Sequence, residues 1–298
     1  MNENEKQKLE NPLPYSRAPQ ILTALKDYGP LSVRGLRQVI TPSMSLRAVQ
    51  KALQRLHENG LIQKRYEHLW RHSAVFHQLG QKDFQLKKVA DFLHCDMNAL
   101  RQPEYRYREL IHTEACGIWQ NYLKHQFPTA HVLRDFEIAG DEAAQHALLS
   151  RKTDIEVKPD LLLKMPKPDG KGFAMIGIEI EKTRKSDARL FVKLRKYAAR
   201  THLDGVLYVC DPGGLTETLR CIYKKSVLMN AIRIKHYAEN FFVFTDGLPP
   251  AVDTPVKVHN SSVDPLGLRD WIHFLSSTSD TTRKTASEDL IRSRERDS

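Results

Sequence analysis

The stretch GFAMIGIEIEKT, residues 172–183, constrains the fold more than any other part of this chain. Ala174, Ile176, Ile178 and Ile180 alternate there with Met175, Gly177, Glu179 and Glu181. Strict alternation is the signature of a β-strand with the two sets on opposite faces. The isoleucine face calls for burial. The other face sets two carboxylates roughly 7 Å apart in a row. Charges so placed repel unless a cation lies against them. The fold must therefore cover the isoleucines and give the glutamates a counter-charge.

The flanking sequence extends this strand into a sheet. TDIEVKPDLLLKMP, residues 153–166, reads as the preceding strand with Pro159-Asp160 inside it, and PDGKG as the hairpin turn between the two. Proline interrupts a hydrogen-bond ladder, so Asp160 belongs at an edge or bend. Asp160, Glu179 and Glu181 then converge at one end of the sheet. Hard carboxylate oxygens are what magnesium or manganese take, and a metal held by three of them is a phosphodiester-cleaving site in outline. The same row also reads as a solvated sheet face neutralised by lysines.

Around this pair the chain alternates helices and strands. YRELIHTEACGIWQNYLKHQF is an amphipathic helix and HVLRDFEIA a strand. After the acidic strand come a helix in SDARLFVKLRKYAART with Ser186 as its cap, a strand in LDGVLYVCD, a helix in GGLTETLRCIYKKSVLMN and a strand in RIKHYAENFFVFT. The order α-β-β-β-α-β-α-β over residues 105–246 predicts an α/β domain with a central mixed sheet.

Residues 19–80 carry a different pattern. PQILTALKDYG, SVRGLRQVI and LRAVQKALQRLHENG read as three short helices, the second capped by Ser32 and the third by Ser45. Two strand-like segments follow, LIQKRYEHLW and AVFHQLG. Three helices and a hairpin in about 60 residues make a winged helix-turn-helix. On the third helix, Leu46, Val49, Leu53 and Leu56 form a buried stripe. Arg47, Gln50, Lys51, Gln54 and Arg55 line the other side, where Arg and Gln suit base edges in a major groove and Lys suits phosphates. Lys64 and Arg65 on the wing add phosphate contacts. The bland alternative is a solvated basic face or a dimerization module. Net charge favours the polyanion: 46 Lys and Arg against 36 Asp and Glu give +10.

Residues 1–18 read as a disordered N-terminus, 81–104 as a polar, partly helical connector, and 247–298 as a largely disordered tail in which only LRDWIHFL forms a short docking helix. No apolar run reaches the roughly 20 residues of a membrane span, and no secretion signal opens the chain. The four cysteines form no CxxC pair, which argues against a zinc ribbon and fits a reducing cytoplasm. No HxH triplet, GxxxxGK[ST] or GxSxG occurs. Tyr197 and Tyr208 occupy apolar-face positions and read as core rather than as nucleophiles.

KPDLLL, IEIEK and the helix ARLFVKLRKYA, with eighteen residues between Asp160 and Glu179, resemble the PD-(D/E)xK nuclease core. With a winged helix in front, the arrangement over residues 20–245 is similar to plasmid replication-relaxation proteins and to the MOBC class of mobilization relaxases. The resemblance implies a restriction-endonuclease-like domain that nicks DNA at a plasmid transfer origin. It implies magnesium or manganese held by Asp160, Glu179 and Glu181, and other mobilization or coupling proteins as further partners. Glu181 stands where the motif has its lysine, so the lysine must come from elsewhere. Lys182 is adjacent, though alternation turns it to the opposite face unless the strand ends there. Lys193 on the following helix is preferred. Glu114 and His112 lie on the opening helix, where such folds place an extra acid; a solvated glutamate and a packed histidine are the alternatives. A non-catalytic DNA-binding accessory protein is the competing function.

Overall fold

The computed structural model describes residues 17–40, 45–69, 72–103, 109–148, 157–181, 185–198, 202–210, 215–228, 241–249, 254–259 and 266–277. Among them the chain is mixed α/β, with ten α-helices and a central five-stranded mixed sheet. It divides into two compact units, Met1–Asn121 and Tyr122–Ser298.

The first unit opens with α1 (Ala18–Tyr28), α2 (Val33–Ile40) and α3 (Leu46–Glu58). Gly29 ends α1 at φ 78°, a left-handed conformation that glycine adopts without strain. Ser32 caps α2 by accepting the Gly35 N–H at 3.1 Å, and Ser45 caps α3 by accepting that of Ala48 at 3.3 Å. Val49, Leu53 and Leu56 of α3 are buried as their spacing predicts. Leu46 is 46% exposed, contrary to the expected stripe: it is the first residue of the helix, which enters the core one turn later.

An antiparallel hairpin follows, β1 (Ile62–Leu69) and β2 (His72–Leu79), in register from Ile62↔Leu79 to Leu69↔His72. Leu31 exchanges backbone hydrogen bonds with His77, so the link between α1 and α2 covers the outer edge of β2. The segment expected as a connector is core: α4 (Asp83–Leu93) and a 3-10 turn (Met97–Leu100) bury Leu86, Val89, Ala90 and Leu100 against α1 and α3 residues. Its apolar side chains recur at helical spacing between lysines and aspartates, which makes the segment polar on average and apolar on one face. Helix α5 (Leu110–Gln126) passes so near the end of α1 that a Cβ on Gly117 would fall 2.7 Å from the Tyr28 carbonyl oxygen.

In the second unit the sheet order is β3 (His131–Arg134), β4 (Leu161–Pro166), β5 (Phe173–Glu181), β6 (Gly205–Cys210), β7 (Phe242–Asp246). The first three strands are antiparallel, and β5, β6 and β7 are parallel. HVLRDFEIA is not one strand. It turns helical at Asp135, where α6 (Asp135–Ile138) starts and Glu137 accepts the Arg134 N–H at 2.6 Å. A further helix, α7 (Glu142–Leu148), precedes β4. Helices α8 (Asp187–Ala198) and α9 (Leu215–Leu228) cross between parallel strands. They bring Leu190, Leu194, Tyr197, Leu219 and Tyr223 against Met175, Val206, Tyr208, Phe242 and Phe244 on one sheet face.

Helix α10 (Leu268–Ser277), the segment LRDWIHFL and its surroundings, covers the opposite face, with Trp271 and Leu275 over Gly205. A short ladder of β8 (Lys257–Val258) with β9 (Leu266–Gly267) leads into it. The sheet is thus buried on both sides, as a parallel sheet with crossover helices must be. No helix among the described residues is long and apolar enough to cross a membrane.

Candidate functional site

The site is built where β4 begins and β5 ends. The ladder between these strands stops at Leu161↔Ile178. Asp160 lies just before β4 rather than inside a longer strand, because Pro159 has no N–H with which to continue the ladder. The Asp160 carboxylate takes over at that point and accepts the Ile180 N–H at 2.7 Å. Its position is fixed by the backbone of the strand that carries both glutamates.

Glu179 and Glu181 share a face of β5, but that face is covered rather than solvated, and only 2% and 4% of the two residues is exposed. Helix α8 supplies the cover. Its Lys193 and Tyr197 are four residues apart and so project from the same side. The Lys193 ammonium donates to Glu179 Oε2 at 2.5 Å, and the Tyr197 hydroxyl donates to Glu179 Oε1. Lys185, in the link before α8, donates to Glu181 Oε2 at 2.7 Å. On β6, Tyr208 pairs in register with Glu179; its hydroxyl is buried and has no hydrogen-bond partner among the described residues.

Burial dominates the electrostatics. It pushes the Glu179 carboxyl up to about 7, helped by the charge of Asp160 and opposed by Lys193 and the Tyr197 hydrogen bond. Burial alone would lower the Lys193 ammonium, but Glu179, then Asp160 and Glu181, more than offset this, and the group is held above its usual range. Burial and then the Glu179 charge raise Tyr197 and Tyr208 well above ordinary phenols, so neither is a ready nucleophile.

Three of the expected site carboxylates and Lys193 therefore come together. Lys182 lies outside the described residues. Glu114 accepts the Ser32 N–H at 2.6 Å inside the first unit, next to Gly35, and serves as a brace between α5 and α2. His112 lies 3.6 Å from the Cys116 sulfur one turn along α5. Tyr197 and Lys185 were not foreseen as site residues. The i, i+4 relation of Tyr197 to Lys193 is the signal that would have found the tyrosine.

The basic face of the first unit is open. Arg47, Gln50, Lys51 and Gln54 are exposed and Arg55 half-buried, with Gln54 donating to Glu58 at 3.0 Å. On β1, Lys64 is exposed and Arg65 half-buried. Nearby, His57 of α3 and His77 of β2 share a hydrogen bond of 3.0 Å, which fastens the hairpin to the end of this helix.

Asp160, Glu179 and Glu181 offer hard carboxylate oxygens, but among the described residues these are not gathered within ligand distance of a single ion, and a divalent cation there would have to displace Lys185 and Lys193. Fold and site define a mixed α/β protein with a buried carboxylate–lysine cluster on its central sheet. No protein-family model, no curated protein and no solved structure matches the chain.

Proposed function

We infer that the chain is a DNA-binding, metal-dependent endonuclease that nicks one strand at a plasmid transfer origin, in the manner of MOBC-type relaxases. In this reading the first unit is a winged helix whose α3 enters the major groove, and the second is a restriction-endonuclease-like domain. The observation that carries it is Lys193. A lysine fourteen residues beyond Glu179 reaches back to the very carboxylate that the nuclease motif assigns to metal, and feels the charges of Asp160 and Glu181 as well.

The proposed roles are as follows. Asp160, Glu179 and Glu181 are the residues that would hold magnesium or manganese. A cation bound there supplies Lewis acidity and an activated water. Lys193, on a helix rather than a loop, is placed to exchange its carboxylate partner for a phosphate oxygen and stabilise developing charge there. Pro159 and the Asp160–Ile180 hydrogen bond keep the acidic edge rigid.

The second reading, a non-catalytic DNA-binding accessory protein, is favoured by one observation: Lys193, Tyr197 and Lys185 already satisfy the glutamates. A supercoiled-plasmid nicking assay with a magnesium and manganese series separates the two. Nicking that Asp160→Ala and Glu179→Ala abolish supports the nuclease. Specific binding without cleavage, unchanged by chelator, supports the accessory protein.

A further inference from the structure

At the far end of β5 from the carboxylates, the second unit holds a cleft of about 580 Å³ between α7, the β4–β5 turn and the residues before β6. Met175 lines it, six residues and so roughly 20 Å along the strand from Glu181. The volume lies within the roughly 300–1,000 Å³ of small-molecule sites.

The lining is sorted by chemistry. The rings of His146 of α7 and His202 lie against each other, tilted by 39° with centroids 4.3 Å apart. Phe173, the first residue of β5, lines the cleft and is 38% exposed, with the Lys164 ammonium 5.1 Å over one side of its ring and His131 meeting it edge-on. Lys167 and Lys171 frame the β4–β5 turn beside it. The Asp204 carboxylate accepts the Met175 N–H at 2.7 Å, and Glu142 stands at the start of α7.

We propose that this cleft binds a nucleotide whose base carries an exocyclic amino group. The outer sides of the imidazoles and the Phe173 ring offer surface for the base, and Lys171, with Lys167 near it, takes the phosphate. Glu142 and Asp204 accept from the amino group, as carboxylates do from cytosine N4. Aromatic surface interleaved with lysine is the pattern that holds single strands. The nucleotide can be a free monomer or one residue of a single strand, and the chemistry is shared. The inference stands independently of cleavage at the carboxylate cluster.

The test is calorimetric binding to the full chain with dCMP, dAMP, dTMP and inorganic phosphate, and with oligodeoxycytidine and oligothymidine. The oligonucleotide arm uses the Arg47→Ala, Lys51→Ala background to weaken the first unit's contribution, and counts only the binding that is lost when Phe173→Ala is added to that background. Binding of dCMP or dAMP in preference to dTMP and phosphate is expected, with a loss of about tenfold in Phe173→Ala and in Lys171→Ala. Both side chains are exposed, so folding is preserved, and circular dichroism verifies it. Tighter binding of oligodeoxycytidine than of dCMP identifies the strand as ligand; equal binding identifies the monomer. No nucleotide binding by the wild type, no base preference, or affinity unchanged in both variants overturns the proposal.

Discussion

The ammonium of Lys193 lies 2.5 Å from Oε2 of Glu179, pairing a half-exposed lysine of α8 with a buried carboxylate of β5. Breaking one half of such a pair leaves the other charge in a poor solvent. Lys193→Met should lower stability by about 2–4 kcal/mol, read by chemical denaturation, the half-exposed lysine placing it at the low side of the range for buried pairs. Glu179→Gln should cost less, because Gln still accepts from Tyr197. Equal stability of Lys193→Met and wild type would show that the pair is not formed in solution.

The acidic edge should make activity depend on a divalent cation. Chelation should abolish nicking, and magnesium or manganese should restore it. Glu181→Ala should lower the rate at saturating metal by about 100-fold or more, the scale of losing a group that stabilises transition-state charge. A metal titration read by thermal shift gives a second measure: the wild type should be stabilised by the ion and Glu181→Ala much less so. Nicking that survives chelation would remove the carboxylates from the chemistry.

Acid should loosen the first unit through His77. Burial, then the charges of His57 and Lys64, lower this imidazole to about 4, and burial and Lys64 also lower His57. The unfolded chain therefore binds protons that the folded chain refuses. Stability from this group is complete above pH ~6.5 and is lost as pH falls toward 4. The loss by pH 5 should be about 2 kcal/mol in urea titrations that follow the first unit, and His77→Gln should flatten it. A profile unchanged by His77→Gln would place the proton uptake elsewhere.

Gly205 allows α10 onto the sheet. A Cβ there would lie 2.6 Å from Leu275 and 2.8 Å from Trp271. Gly205→Ala should destabilise by about 1–3 kcal/mol, as overpacking does, and Leu275→Ala in the same chain should recover part of it. Simple additivity of the two changes would contradict the close approach.

DNA affinity should reside in α3. Arg47→Ala with Lys51→Ala should weaken origin binding and reduce the slope of log K against log salt by about 1–2. Gln50→Ala should relax sequence preference and leave that slope unchanged. The opposite assignment would make the face purely electrostatic.

Much of this was legible in the sequence because alternation and helical spacing are local. The two-faced strand from Phe173 to Glu181, the caps at Ser32 and Ser45, and the docking of LRDWIHFL all follow from neighbouring residues. What local pattern could not settle was which partners meet the glutamates. Lys185 and Lys193 both follow β5, and only the path of α8 decides that Lys193 and Tyr197 grip one carboxylate while Lys185 holds the other. The extent of β4 was overestimated because proline tolerance depends on where the ladder ends. Leu46 misled for a similar reason: spacing fixes a helix face but not where the core begins.

The bond from Ser32 N–H to Glu114 joins residues 82 apart in sequence. A ribosome would have released α1, α2, α3 and the hairpin well before the helix that braces them. The early segment must wait for this late clasp, and loops of that length close slowly. A fragment ending at residue 80 should therefore bind DNA less tightly than the full chain even with every basic side chain of α3 present, since the start of α2 would have lost its far anchor.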